Sequence, residues 1–184
     1  RHGYHVSLAP PQSYLSALTG AFNRTALLPP LGCPAEVHFW YAGRNSYAFL
    51  IAAYGATELA DGRSVPTFAW VFTQLYESWS GTLCMRMRGW PLGRILTHIV
   101  VGLERGWEVD FGADPALAWP RARVRVPPSR LVLGWANGWA APGNIAIAAP
   151  SARSTGPTLY ADPAELAAAY AAIPRAARPR GLGF

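Results

Sequence analysis

Proline and glycine cut this chain into short pieces whose apolar spacing switches between that of a strand and that of a helix. Pro29-Pro30, Ala60-Asp-Gly-Arg63, Gly89 to Gly93 and Pro127-Pro128 interrupt it at intervals, each with residues that break helices or set turns. Tyr4, Val6 and Leu8 alternate as in a strand, whereas Tyr14, Leu18 and Phe22 recur at i+4 and predict a helix near residues 11 to 23. A strand region over 36 to 54 follows, then the Ala60 to Arg63 turn, a strand over Thr67 to Phe72, and a helix over 92 to 107. Asp162-Pro-Ala-Glu165 combines an N-cap aspartate, proline at the first helical position and glutamate at the third, so a helix is expected from there to Pro174. Helix and strand are mixed throughout, which indicates the α+β class. With neither an internal repeat nor a dividing linker, one domain over residues 1 to 174 is expected. Arg175 to Phe184, rich in Arg, Pro and Gly, is expected to be a mobile tail.

At 19.9 kDa the chain can bury roughly 70% of its unfolded surface. Its 51% hydrophobic and 14% charged residues exclude disorder, and no window reaches the roughly 18 apolar residues of a membrane span.

All sixteen basic residues are arginine. A GC-rich coding sequence would produce this together with the abundant Ala, Gly and Pro; a toxin that must escape ubiquitination in a host cytosol would also lack lysine. Residues 1 to 120 carry eight arginines and eight acids, whereas residues 121 to 184 carry eight arginines against Asp162 and Glu165 alone. Such an excess commonly grips phosphate. Arg121, Arg123 and Arg125 alternate with Ala122, Val124 and Val126, so a strand would put the three guanidinia on one face, either solvated or along an RNA backbone.

Cys33 and Cys84 are too few for a metal cluster and are either one disulfide of an exported protein or two buried thiols. Asn23-Arg-Thr25 is a glycosylation triplet in a eukaryotic secretory pathway. No signal peptide is visible, and a start at Arg1 is what a processed product would have.

Four blocks, taken in order, carry a family resemblance. Tyr4 to Phe22 reads as a strand running into a helix that opens on Ser13-Tyr14. Val37 to Ile51 contains Asn45-Ser-Tyr47, Arg94 to Glu108 is a long apolar helix ending in acids, and Leu131-Val-Leu-Gly-Trp135 ends on an indole. This succession resembles the ribosome-inactivating proteins of the Shiga toxin A and ricin A type. The resemblance implies a mixed sheet around a central apolar helix and an rRNA adenine N-glycosylase that depurinates the sarcin/ricin loop without metal or cofactor. It implies that Tyr47 and a second aromatic, Tyr76 or Trp79, sandwich the adenine, that Trp135 walls the pocket, and that Glu104 stabilises the cationic sugar. In the family an arginine follows the glutamate by three positions; here that position is Trp107. Arg105, another arginine folded in from elsewhere, or a pairing of Glu108 with Arg105 would have to serve. The implied partners are the ribosome and its large-subunit rRNA, with a cell-binding subunit or an immunity protein, and the implied location is a target-cell cytosol after secretion.

Breaking an adenosine N-glycosidic bond requires a grip on the extruded base, protonation of the leaving purine and a carboxylate beside the ribose. Those residue types are all here. Glu104 is flanked by Val101 and Leu103, where an unpaired carboxylate would need compensation, unless it is simply an exposed charge at the helix end. Trp135 and Trp139 could equally pack the core, and His98 reads as a satisfied core histidine. Ser78 and Ser80 lack the context of a nucleophilic serine. Two other classes fit more loosely. Tyr4-His-Val-Ser7 with Phe39-Trp-Tyr41 echoes NAD-dependent ADP-ribosyltransferase toxins, and the many aromatics would suit a non-catalytic module that recognises sugar or protein.

Overall fold

The computed structural model of the protein describes residues 5–28, 41–76, 80–135 and 161–183. Its elements, in chain order, are strand β1 (Val6–Leu8), β2 (Asn23–Leu28), β3 (Tyr41–Arg44), helix α1 (Ser46–Tyr54), β4 (Ala56–Glu58), β5 (Ser64–Pro66), β6 (Phe68–Gln74), α2 (Gly81–Met87), α3 (Leu92–Arg105), β7 (Trp107–Val109), β8 (Ala122–Val124), β9 (Leu131–Gly134), α4 (Pro163–Ala171) and β10 (Gly181–Gly183). Helices and strands are mixed, as the α+β reading expects.

Several local expectations are met. The turn at residues 60 to 63 joins β4 to β5 as an antiparallel hairpin, with Gly62 N–H on Leu59 O and Asp61 holding the Arg63 guanidinium at 2.7 Å. Asp162 caps α4, its Oδ1 accepting from Ala164 and Glu165 N–H. Helix α3 ends at Gly106, whose φ of 78° a side chain would resist.

Three expectations give way. Residues 11 to 23 hold only a 3-10 turn, Gln12–Tyr14. A longer helix there would need Ser16 N–H for Gln12 O, but that N–H is donated to Asn45 Oδ1 at 2.9 Å. The strand expected over 36 to 54 stops at Arg44, and Asn45-Ser-Tyr47 opens α1. A continuous apolar run such as Tyr47 to Ala53 has no alternation to separate strand from helix, and its alanines and leucine favour the helix. The expected tail is ordered, since Gly181–Gly183 pairs with Val132–Gly134.

Among the described residues the main sheet is also not mixed. Its order is β1-β6-β9-β10, and every pair is parallel. Segments containing α1, then α2 and α3, then α4 carry the chain from each strand to the next. On one face Val71, Leu131, Leu133 and Leu182 join a core with Ile95, Leu96, Val100 and Leu103 of α3 and Leu166 and Ala169 of α4. On the other face Phe68, Trp70, Phe72, Gln74 and Val132 remain half-buried.

Phe72 lies across its neighbours. A Cβ added at Gly134 or Gly183 would fall inside the van der Waals envelope of its ring. We expect Gly134→Ala to destabilise the fold by about 1–3 kcal/mol through overpacking, read as a lower urea midpoint; an unchanged midpoint would mean that the ring swings away freely.

Candidate binding site at the carboxyl edge of the sheet

Parallel strands deliver all their carboxyl ends to one edge, where loops gather and where ligands of such sheets are held. Here that edge is knitted by backbone bonds running past the strands: Gln74 N–H to Pro10 O at 2.9 Å, Leu75 N–H to Gly134 O at 3.0 Å and Trp135 N–H to Gly183 O at 2.9 Å. Strand alternation puts Gln74 on the same face as Phe72, and half-buried Tyr76 continues that alternation past fully buried Leu75. The Gln74 amide is oriented because Nε2 donates to Ala9 O at 2.9 Å, which leaves Oε1 as an acceptor without a partner among the described residues. Ser80 fixes the exit from β6 by donating to Leu75 O at 3.3 Å and accepting from Leu83 N–H at 3.2 Å.

The described residues of this edge, Ala9, Pro10, Gln74, Tyr76, Gly134 and Gly183, bear no charge. Together they offer an aromatic ring with a hydroxyl, an amide acceptor, and a floor of Phe72 laid over two glycines. Gln74 was not singled out from the sequence; the signal was the Phe72, Gln74, Tyr76 alternation at the end of an apolar strand.

The residues expected to form an adenine pocket are distributed differently. Tyr76 is at this edge. Trp135 follows β9 but belongs to the helix-side core, 2% exposed, with its indole N–H without a partner among the described residues. Tyr47, on α1, packs against the core and stacks on Tyr14 with centroids 6.5 Å apart. Trp79, Trp139 and Ser78 lie outside the described residues.

Glu104 is at the opposite end of the sheet. Leu103 O accepts from Val126 N–H at 2.9 Å, and Val126 lines one cavity with Phe68, the first residue of β6. Its carboxylate is about one-third exposed and meets Arg125 Nη2 at 2.7 Å, so the compensating cation is Arg125 and not Arg105. A cavity of about 760 Å³ on the outer side of α3 takes in Arg105 and Trp107 along with Trp90, Arg94 and His98, but not Glu104 or Tyr47. His98 is exposed there, edge-on to Trp90 at 5.6 Å, and is no core residue.

Of the three arginines expected in one strand only Arg123 lies in β8, with exposed Arg121 and Arg125 flanking it, and all three are already paired. Arg121 meets Asp110 at 3.2 Å, Arg123 meets Glu108 at 3.9 Å and Arg105 O at 2.5 Å, and Arg125 meets Glu104. A row of acids on α3, β7 and the turn after it neutralises the stripe. Because these pairs are solvated, Glu104→Ala is expected to cost less than about 1 kcal/mol, measured by thermal unfolding; a loss of several kcal/mol would reveal a buried role.

Cys84 is disulfide-bonded, and Cys33 lies outside the described residues. The Asn23 side-chain oxygen accepts from Thr25 N–H at 2.9 Å and Ala26 N–H at 2.6 Å. Among the described residues no three His, Cys, Asp or Glu side chains are placed to hold a metal ion, and no helix is long and apolar enough to cross a membrane. In comparisons with known proteins, no family model, no curated protein and no solved structure matches this chain.

Proposed function

We propose that the carboxyl edge of the parallel sheet binds a neutral saccharide. The observation that carries this reading is the pair Gln74 and Tyr76, two residues apart at the end of the central strand β6, on the face whose floor is Phe72 over Gly134 and Gly183. A pyranose has an apolar C–H face that packs on an aromatic ring and equatorial hydroxyls that need fixed acceptors and donors. Tyr76 supplies the ring, and the oriented Gln74 amide supplies the acceptor. The pairing of Arg121, Arg123 and Arg125 with acids also weakens the case for an RNA backbone.

The disulfide at Cys84 supports an exported protein, since such bonds persist in oxidising compartments. Glycoside hydrolysis would require carboxylates beside the sugar, and the described edge residues supply none, so the proposal is one of binding. Titration of the protein with neutral oligosaccharides, followed by calorimetry, tests it: saturable binding that falls on Tyr76→Ala supports the reading, and equal binding by the variant removes the edge from it.

One observation favours a second reading, rRNA adenine N-glycosylase: Glu104 does hold a guanidinium, that of Arg125. Incubation with ribosomes and an assay of free adenine tests this directly. Adenine release lost in Glu104→Ala would establish it, and intact rRNA from bacterial and eukaryotic ribosomes would end it.

A further inference from the structure

We propose that the outer side of α3 binds a small amphiphilic anion, its oxyanion head at Arg94 and His98 and its apolar tail in an adjoining cavity against Leu15 and Leu18. This inference is independent of the saccharide reading, since neither cavity is lined by a residue of the carboxyl edge. The head site follows from helical spacing. Arg94 and His98 stand four positions apart, so they lie on one face of α3, and both are exposed. Both also rest on Trp90: Arg94 Cζ is 3.9 Å from the indole centroid, and the His98 ring meets it edge-on at 5.6 Å. A guanidinium laid flat on an indole is held by its face, which orders the side chain and leaves its N–H groups at the rim to grip an oxyanion.

The cavity of about 760 Å³ in which they stand is electropositive, because the acids of the neighbouring elements are engaged with other arginines. Glu104 of α3 holds Arg125 at 2.7 Å, Glu108 faces Arg123 at 3.9 Å, and Glu165 of α4 holds Arg86 at 3.0 Å. Arg105 lines the same cavity about three helical turns from Arg94, and its charge adds to the field that draws an anion in.

The adjoining cavity, of about 260 Å³, has a different character. Leu15, Leu18, Ile99 and Leu103 give it apolar walls, and Leu18 is among the few large apolar side chains left exposed, at 41%. The two cavities share Ala17, His98 and Gly102, so the apolar compartment begins beside the head site. Gly102 keeps the boundary between them low, since a Cβ there would come within 3.1 Å of the Ala17 methyl. A purely ionic ligand leaves the leucine walls wet, and a purely apolar one gains nothing from Arg94. An alkyl chain that ends in a carboxylate or a phosphate uses both.

The test is calorimetry on the 184-residue chain with octanoate and octyl phosphate as probes, below their micelle concentrations. Saturable one-to-one binding of at least one is expected, and the tighter of the two identifies the head as a carboxylate or a phosphate monoester. Octanol, which lacks the charge, and acetate and inorganic phosphate, which lack the tail, should each bind about tenfold more weakly or worse. Lengthening the tail from butyl to octyl in the preferred series should raise affinity about fourfold per methylene buried. Arg94→Ala and Leu18→Glu, both at exposed positions and checked for folding by circular dichroism, should each weaken binding about tenfold or more. Arg63→Ala removes a cation that lines neither cavity and should leave Kd unchanged. Four results overturn the proposal: no saturable binding by either amphiphile, octanol binding as tightly as the anions, affinity independent of tail length, or folded Arg94→Ala and Leu18→Glu variants with the wild-type Kd.

Discussion

Asn45→Ala is expected to lose about 3–5 kcal/mol of stability, far more than an ordinary polar substitution. Asn45 is fully buried, and its side chain joins three backbone groups of one loop: Oδ1 accepts from Ser16 N–H at 2.9 Å, while Nδ2 donates to Thr19 O at 2.9 Å and Ala21 O at 3.0 Å. Alanine leaves those groups without that partner, Ser16 N–H in a buried site and the two carbonyls in a part-buried one, at about 1–3 kcal/mol each before relaxation. It also takes a left-handed backbone position, φ 54° and ψ 24°, that asparagine adopts more readily than alanine, worth roughly 1–2 kcal/mol. Urea unfolding measures the sum, and Asn45→Gly separates its parts, since glycine relieves the backbone strain but not the lost bonds. A shift below 1 kcal/mol in both variants would contradict the role. The asparagine of Asn45-Ser-Tyr47 is thus a structural clamp that ties the 16–21 loop to the start of α1, where Tyr47 stacks on Tyr14.

Tyr76→Ala carries the largest expected effect on binding. A central aromatic stripped from a ligand site commonly costs about 2 kcal/mol or more, which is roughly a thirtyfold rise in Kd. The side chain lies beyond the last ladder pair, Gln74 with Gly134, so the sheet should survive its loss. Tyr76→Phe should retain most of the affinity, because the ring is kept and only the hydroxyl is removed. Gln74→Ala should weaken binding less than Tyr76→Ala, and the two together should fall short of additivity, since both touch one ligand. Comparable affinities for wild type and Tyr76→Ala would place the sugar elsewhere.

How much could be read beforehand follows from the kind of signal each element carries. The cap at Asp162, the turn around Gly62 and the helix expected over residues 92 to 107 are local, written in residues a few positions apart; the first two occur as expected, and the helix runs over Leu92–Arg105. The helix forecast over 11 to 23 failed because its deciding partner is Asn45, 29 residues away from Ser16. Strand direction is likewise non-local. Nothing within Phe68 to Gln74 says that its neighbours run parallel, although the helices between strands permit it.

The site was legible in fragments. Tyr76 was selected as one of two stacking candidates, and its place at the sheet edge depends on the topology of β6 and β9. Arg121, Arg123 and Arg125 were singled out together, but the acids opposite come from α3 and the strand beside it, so their neutralisation required the tertiary structure.

The most direct measurement is an NMR titration of isotopically labelled protein with neutral oligosaccharides. The account predicts saturable shifts at Gln74, Leu75, Tyr76 and Gly134, absent at Glu104 and Arg125. Perturbation confined to Glu104 and Arg125, or no perturbation by any sugar of the series, would contradict it.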